Sequence, residues 1–170
     1  MAVAWYALRS KANKEDFLAN QLQAGGFDTY YPRLRVSVVN PRARKVRPYF
    51  PGYLFVHVDL DKVSLSDLKW MPGGTGIVSY GGEPAVVPDA LISTLQRHVE
   101  ELNASNRPSI SGLKPGDTVI LQAGPFAGYE AIFDGRISGQ DRVRVLLNFL
   151  QKRQVPLEVE SQNIKREKPP

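Results

Sequence analysis

Cations and aromatics, not nucleophiles, are the side chains whose spacing could do chemistry in this chain. Between Asp28 and Asp59 there is no acid, and the same interval holds Arg33, Arg35, Arg42, Arg44, Lys45 and Arg47, a local charge of +6. Such a cluster makes a field that a polyanion would feel. Arg9, Lys11 and Lys14 can extend that surface, and a merely solvated charge run is the plain alternative. Tyr53, Phe55 and His57 recur at a period of two, with Leu54, Val56 and Val58 between them. The strand this predicts is apolar on both faces. Both faces cannot pack one core, so one meets a helix of the domain and the other is open to a partner. Tyrosine suits such a contact, and core packing of Tyr53 and Phe55 is the competing reading.

Catalytic chemistry has little to stand on. The absence of cysteine excludes a disulfide scaffold, a thiolate metal site and a cysteine nucleophile. His57 and His98 are the only imidazoles, and no Ser-His-Asp arrangement or carboxylate pair surrounds them. Gly73-Gly74-Thr75-Gly76 lacks the Lys-Ser/Thr that a phosphate loop needs. A binding protein without cofactor or metal is therefore expected. Apolar residues are 42% of the 170, enough for a core, and the apolar runs fall far short of the ~20 residues a membrane span needs. The opening residues lack a basic and then apolar leader. A cytoplasmic monomer with no membrane partner is expected.

The elements that must position these side chains follow from periodicity and turn residues. Trp5–Arg9 predicts a strand. Asn13 with Asp16 predicts a capped helix carrying Phe17, Leu18 and Leu22, stopped by Gly25-Gly26. Phe27–Tyr31 is a strand. Leu34, Val36 and Val38 alternate with Arg33, Arg35 and Ser37, turn at Asn40-Pro41 and return through Arg44–Arg47, so the basic cluster sits on a hairpin. Ser64 or Ser66 caps a short helix to Trp70, with Trp70 and Met71 read as core. Residues 73–76 are a loop, Gly81-Gly82 a hairpin turn. Pro88 opens a helix with the stripe Leu91, Ile92, Leu95, Val99 and Leu102. After residue 102 the chain is small and polar, a linker. Beyond it Asp117–Gln122, Tyr129–Phe133, Arg142–Leu147 and Gln154–Val159 are short strand-like runs between glycines, which predicts a small all-β barrel.

Two segments resemble a known family. Arg47-Pro48-Tyr49-Phe50-Pro51-Gly52-Tyr53-Leu54-Phe55-Val56 is similar to the signature of the N-terminal domain of NusG-type transcription elongation factors, and Trp5-Tyr6 and the Pro88 helix stand where that family has them. Gly116–Ile120 followed by Gly124-Pro125-Phe126-Ala127-Gly128 resembles the KOW motif. The fold the resemblance implies is α+β. Residues 1–102 are an NGN-type α/β sandwich, a mostly antiparallel sheet with flanking helices. Residues 103–113 are a flexible linker, and 114–170 a KOW SH3-like β-barrel. Residues 128–133 and 145–150 look closer to the specialised RfaH-like antiterminators than to the housekeeping factor.

The resemblance also implies partners. Tyr53, Phe55, Tyr80 and Ile92 would dock on the clamp region of the largest RNA polymerase subunits. Ser64, Ser66 and Asp67 would face the other side of the cleft, with capping alone as the alternative. Arg9, Lys11, Lys14, Arg42, Arg44 and Lys45 would meet the non-template DNA strand. Phe126, Ile132 and Phe133 of the barrel would take a small-subunit ribosomal protein or a termination factor. A ribosome-associated RNA-binding KOW protein is the competing class, and the Pro-Tyr-Phe-Pro-Gly-Tyr-Leu-Phe-Val segment argues against it. In some specialised relatives the C-terminal domain is instead a helical hairpin over the polymerase patch. Here Gly124-Pro125, Gly128 and Pro156, the strand-like Arg142–Val145 alternation and an expected repulsion between Arg47 and Arg142 predict a barrel. An interior proline costs a helix about 3 kcal/mol and a glycine about 1.

Overall fold

The computed structural model describes residues 3–35, 46–105, 132 and 137–153. Its centre is a five-stranded antiparallel sheet. The strands are β1 (Ala4–Ser10), β2 (Asp28–Tyr30), β5 (Tyr53–Val58), β6 (Gly74–Ile77) and β9 (Val86–Val87), running β2-β5-β1-β6 with β9 also on β1. The register sets Trp5 opposite His57, Ala7 opposite Phe55 and Arg9 opposite Tyr53. Two small ribbons flank it: β3 (Arg33–Arg35) with β4 (Val46–Pro48), and β7 (Ser79–Tyr80) with β8 (Glu83–Pro84). The helices are α1 (Glu15–Ala24), α2 (Leu65–Lys69), α3 (Asp89–Ser105) and α4 (Gly139–Arg153).

Alternation along β1 and β5 gives the sheet two apolar faces. On one, Tyr6, Leu8, Leu54, Val56 and Val58 pack against Leu18 and Leu22 of α1 and Leu68 of α2. On the other, Ala7 and Phe55 pack against Leu91, Ile92, Leu95 and Val99 of α3. Leu146, Phe149 and Leu150 of α4 close that second core, together with Ile132.

The segment Tyr49–Tyr53 joins several parts. Tyr53 N–H donates to the Phe50 carbonyl at 3.0 Å, with Pro51 and then Gly52 at φ +85 between them, the residue order of a type II turn. Gly52 N–H donates to the buried carboxylate of Glu15 at 2.9 Å, and its carbonyl accepts from Ser10 N–H at 2.8 Å. The start of α1 and the end of β1 are thus pinned to one residue.

Several sequence expectations change. Residues 139–153, expected to supply a barrel strand at Arg142–Leu147, form helix α4. Ser138 caps it by accepting from Asp141 N–H at 3.1 Å, and Arg142, Leu146, Phe149 and Leu150 recur at helical spacing as its buried stripe. Apart from Ile132, Ile137 and Ser138, the rest of the expected barrel lies outside the described residues. Helix α3 runs past 102 to Ser105, so Asn103–Ser105 are helical instead of linker; Asn103 bonds to β3 there. Lys14, not Asn13, is the N-cap of α1, without a side-chain bond, because Asn13 turns left-handed at φ 60. Residues 74–77 are strand β6, held on β1. Trp70, expected in the core, is 77% exposed, while Leu68 turns inward.

Gly52→Ala should cost about 1–2 kcal/mol, because an alanine resists a positive φ. Space is not limiting: the nearest atom to a Cβ there is the Ser10 carbonyl oxygen at 4.0 Å. A fall in melting temperature of about 2–8 °C is expected, measured by thermal denaturation. An unchanged midpoint would contradict the conformation of this turn.

Candidate functional site: an aromatic face beneath helix α4

Tyr53, Tyr80 and Ile92, predicted as parts of one patch, come together around the second core, and Phe55 lies beneath them. Phe55 is fully buried, with its ring edge-on to Phe50 at 5.8 Å and stacked near Tyr30 at 6.2 Å. It is a core residue, as the competing sequence reading had it. Ile92 is 2% exposed, while Tyr53 and Tyr80 are partly buried.

What covers the patch is α4. The Tyr80 hydroxyl donates to the Leu147 carbonyl at 2.9 Å. Burial, with help from Tyr53, pushes the Tyr80 phenol above its ordinary range, and Arg9 opposes the shift. The phenol thus remains a donor at neutral pH. Gly139, the first residue of α4, lies so close to the Pro51 ring that a Cβ would sit 2.7 Å from Pro51 Cγ.

Arg142 fastens the two parts. Its side chain is 5% exposed. Nε donates to the Tyr49 carbonyl at 2.8 Å, one Nη donates to the Ile137 carbonyl, and the guanidinium lies 4.3 Å from the Tyr49 ring centroid. The Tyr49 hydroxyl donates to the Ile132 carbonyl. A guanidinium over a desolvated tyrosine can contribute about 2 kcal/mol. Against the expected repulsion between Arg47 and Arg142, Arg47 is exposed and Arg142 turns toward the backbone and ring of Tyr49. Ile132, expected in the core or groove of a barrel and as one of its partner contacts, is fully buried in this core. Phe126 and Phe133 lie outside the described residues.

The other predicted residues stand apart from the patch. Ser64 caps α2 by accepting from Asp67 N–H at 3.1 Å; Ser66 and Asp67 are exposed on that helix. Arg9, Lys11 and Lys14 are exposed near the start of α1, where Lys11 N–H donates to the Gly73 carbonyl at 2.8 Å and Lys14 Nζ lies 5.9 Å from the Phe17 ring centroid. Arg33, Arg35 and Arg47 are exposed on β3 and β4, while Arg42, Arg44 and Lys45 fall outside the described residues. His57 stacks on Trp5 at 4.6 Å and faces Asp28 at 3.3 Å; His98 lies half-buried on α3. No group of three metal-ligating side chains occurs among the described residues, and no helix there is long and apolar enough to cross a membrane.

Sequence reasoning missed the contact of Arg142 with Tyr49 and the apolar stripe of α4. Ser138 with Asp141 three residues on, followed by Leu146, Phe149 and Leu150, was the available signal.

Residues 3–96 match the family described as "NusG: Transcription termination factor nusG". Among similar proteins, the "Transcription termination/antitermination protein NusG" of Deinococcus radiodurans is 24% identical over 94% of this chain and 97% of its own length. That of Thermus thermophilus is 28% identical over 94% of this chain and 96% of its own. A solved structure, "Domain interaction in Thermotoga maritima NusG", aligns with TM-score 0.43 and 22% identity over 74% of this chain and 76% of that one.

Gly139→Ala separates the packing of α4 from its intrinsic helicity. Alanine favours an isolated helix by about 1 kcal/mol over glycine, yet its Cβ would collide with Pro51. Faster amide hydrogen exchange through residues 142–150 is therefore expected. Slower exchange would contradict the seating of α4 on this loop.

Proposed function

The chain belongs to the NusG family, and from that premise we propose that it is a transcription elongation and antitermination factor of the specialised, RfaH-like kind. It binds the clamp region of RNA polymerase through Tyr53, Tyr80 and Ile92, and it is held closed by its own α4 until that helix is displaced. The observation that carries this reading is the assembly of the predicted patch on one face with α4 seated over it.

Closure acts on affinity by population. If the patch is free in only a fraction of molecules, the apparent dissociation constant rises by the inverse of that fraction. A signal that favours the open form raises affinity without new contacts. Displaced residues 114–170 would then be free to act as the KOW barrel and to recruit a small-subunit ribosomal protein or a termination factor. Ser64, Ser66 and Asp67 on exposed α2 would meet the opposite side of the polymerase cleft. Arg9, Lys11 and Lys14, with Arg42, Arg44 and Lys45, would follow the non-template DNA strand. Suppressed pausing follows from tighter binding to the active, closed-clamp state. No group among these residues catalyses a reaction.

Opening the cover should tighten binding, and trimming the patch should weaken it. Leu146→Ala removes a fully buried side chain, which costs about 2–5 kcal/mol of packing. Full-length Leu146→Ala is expected to bind RNA polymerase tenfold or more tightly than the parent, up to the limit set by the closed fraction. Tyr53→Ala in that background should reverse the gain. Titration of fluorescent protein with polymerase measures both. Equal affinity for all three proteins, or retention by ribosomal subunits and not polymerase, would overturn the proposal.

The cations give a separate readout. Replacing Arg9, Lys11 and Lys14 with Ser in Leu146→Ala should flatten the salt dependence of binding to DNA-containing elongation complexes. Each lost phosphate contact lowers the log–log slope by about 0.7–0.9. An unchanged slope would leave these residues as solvated cations.

A further inference from the structure

A cavity lies between α3 and the β3–β4 ribbon, and no residue of α4 lines it. It is an open cleft of about 750 Å³, within the roughly 300–1,000 Å³ of small-molecule sites. Arg33 and Arg35 of β3 line it, with Arg97 and Glu100 of α3 and Tyr30 of β2. No ion pair joins these guanidinium groups to a carboxylate among the described residues. Their charge is thus not paired with a neighbouring acid, and the Arg33 guanidinium lies 4.9 Å from the Tyr31 ring centroid.

The walls are held at a fixed separation. Asn103, at the end of α3, uses both ends of its amide on the β3 backbone: Oδ1 accepts from Arg35 N–H at 2.8 Å, and Nδ2 donates to the Arg33 carbonyl at 2.9 Å. This side chain bonds to β3 as a neighbouring strand would, so the cleft exists before anything enters it. Preorganisation of that kind lowers the ordering cost of binding.

The lining divides by chemistry. Guanidinium forks match phosphate oxygens and cannot lose their charge. At Glu100 the surface changes sign. Burial, and then the Glu100 carboxylate, push the Tyr30 phenol upward, so it stays protonated beside that acid. A carboxylate only accepts hydrogen bonds, so it favours a base edge with adjacent donors, as guanine has at N1 and N2. The Tyr30 ring, stacked near Phe55 at 6.2 Å, lines the cleft beside that carboxylate and gives a flat base an apolar neighbour.

We propose that this cleft binds a guanine nucleotide, with its phosphates on Arg33, Arg35 and Arg97 and its base between Tyr30 and Glu100. The same groups could receive one nucleotide unit of a nucleic-acid strand, and the geometry favours the free nucleotide because the cleft is the size of one small ligand. The site is separate from the patch under α4, so it stands or falls independently of polymerase binding.

Calorimetric titration of the full-length protein tests it with five probes: GTP, ATP, guanosine, inorganic triphosphate and a ten-nucleotide single strand. GTP is expected to bind most tightly, with guanosine and triphosphate each at least tenfold weaker. Arg35→Ser and Arg97→Ser are exposed changes that should each weaken GTP about tenfold, the scale of one charge-assisted hydrogen bond. Glu100→Gln should erase the preference for GTP over ATP while leaving triphosphate binding unchanged. Equal binding of GTP and triphosphate, no binding of GTP, insensitivity to these substitutions, or binding of the oligonucleotide alone would each overturn the proposal.

Discussion

Strand β5 is apolar on both faces, and the rest of the fold is arranged to keep both from water. Leu54, Val56 and Val58 are covered by α1 and α2. Phe55 and its neighbours are covered by α3 and then by α4. Fully burying one Leu or Phe side chain stabilises a fold by about 1.5–3 kcal/mol. A contiguous uncovered patch invites association instead. The second face of β5 therefore has two possible occupants, an outside partner or a helix of the same chain, and α4 is in place.

The loop before β5 makes that arrangement a single mechanical unit. Gly52 ties to Glu15 and Ser10, Tyr49 N–H donates to the Pro32 carbonyl at 2.9 Å, Arg142 reaches the Tyr49 carbonyl, and Gly139 abuts Pro51. The Pro-Tyr-Phe-Pro-Gly segment that carries the family resemblance is thus also the seat of α4. Displacing the helix would break the Arg142 contacts to Tyr49 and the Tyr80–Leu147 hydrogen bond together.

Much of this was legible in the residues. The double-faced β5, the stripe of α3, the Gly81-Gly82 hairpin and the Ser64 cap each follow from short-range periodicity or turn chemistry, and each element forms as expected. The predicted patch residues also converge. Helix α4 was not legible by the same means. Arg142-Val143-Arg144-Val145 satisfies a period of two over four residues, while its helical stripe shows only across Arg142, Leu146, Phe149 and Leu150. That stripe also begins with an arginine, a residue no hydrophobic pattern counts as buried. The repulsion between Arg47 and Arg142 follows from where helical relatives place an ion pair, whereas Arg142 here meets the carbonyl and ring of Tyr49. Trp70 misled in the opposite sense: its size suggested the core, but Leu68 occupies the inward position of α2 and leaves the indole outside.

The central claim is that residues 139–153 are helical and seated on the aromatic face in the free protein. Carbon chemical shifts of the full-length chain measure this most directly. The account predicts helical Cα and Cβ shifts through Asp141–Gln151 in solution, with cross-relaxation between the Tyr80 ring and Leu147. Strand-like shifts through the same residues in the isolated protein would contradict it.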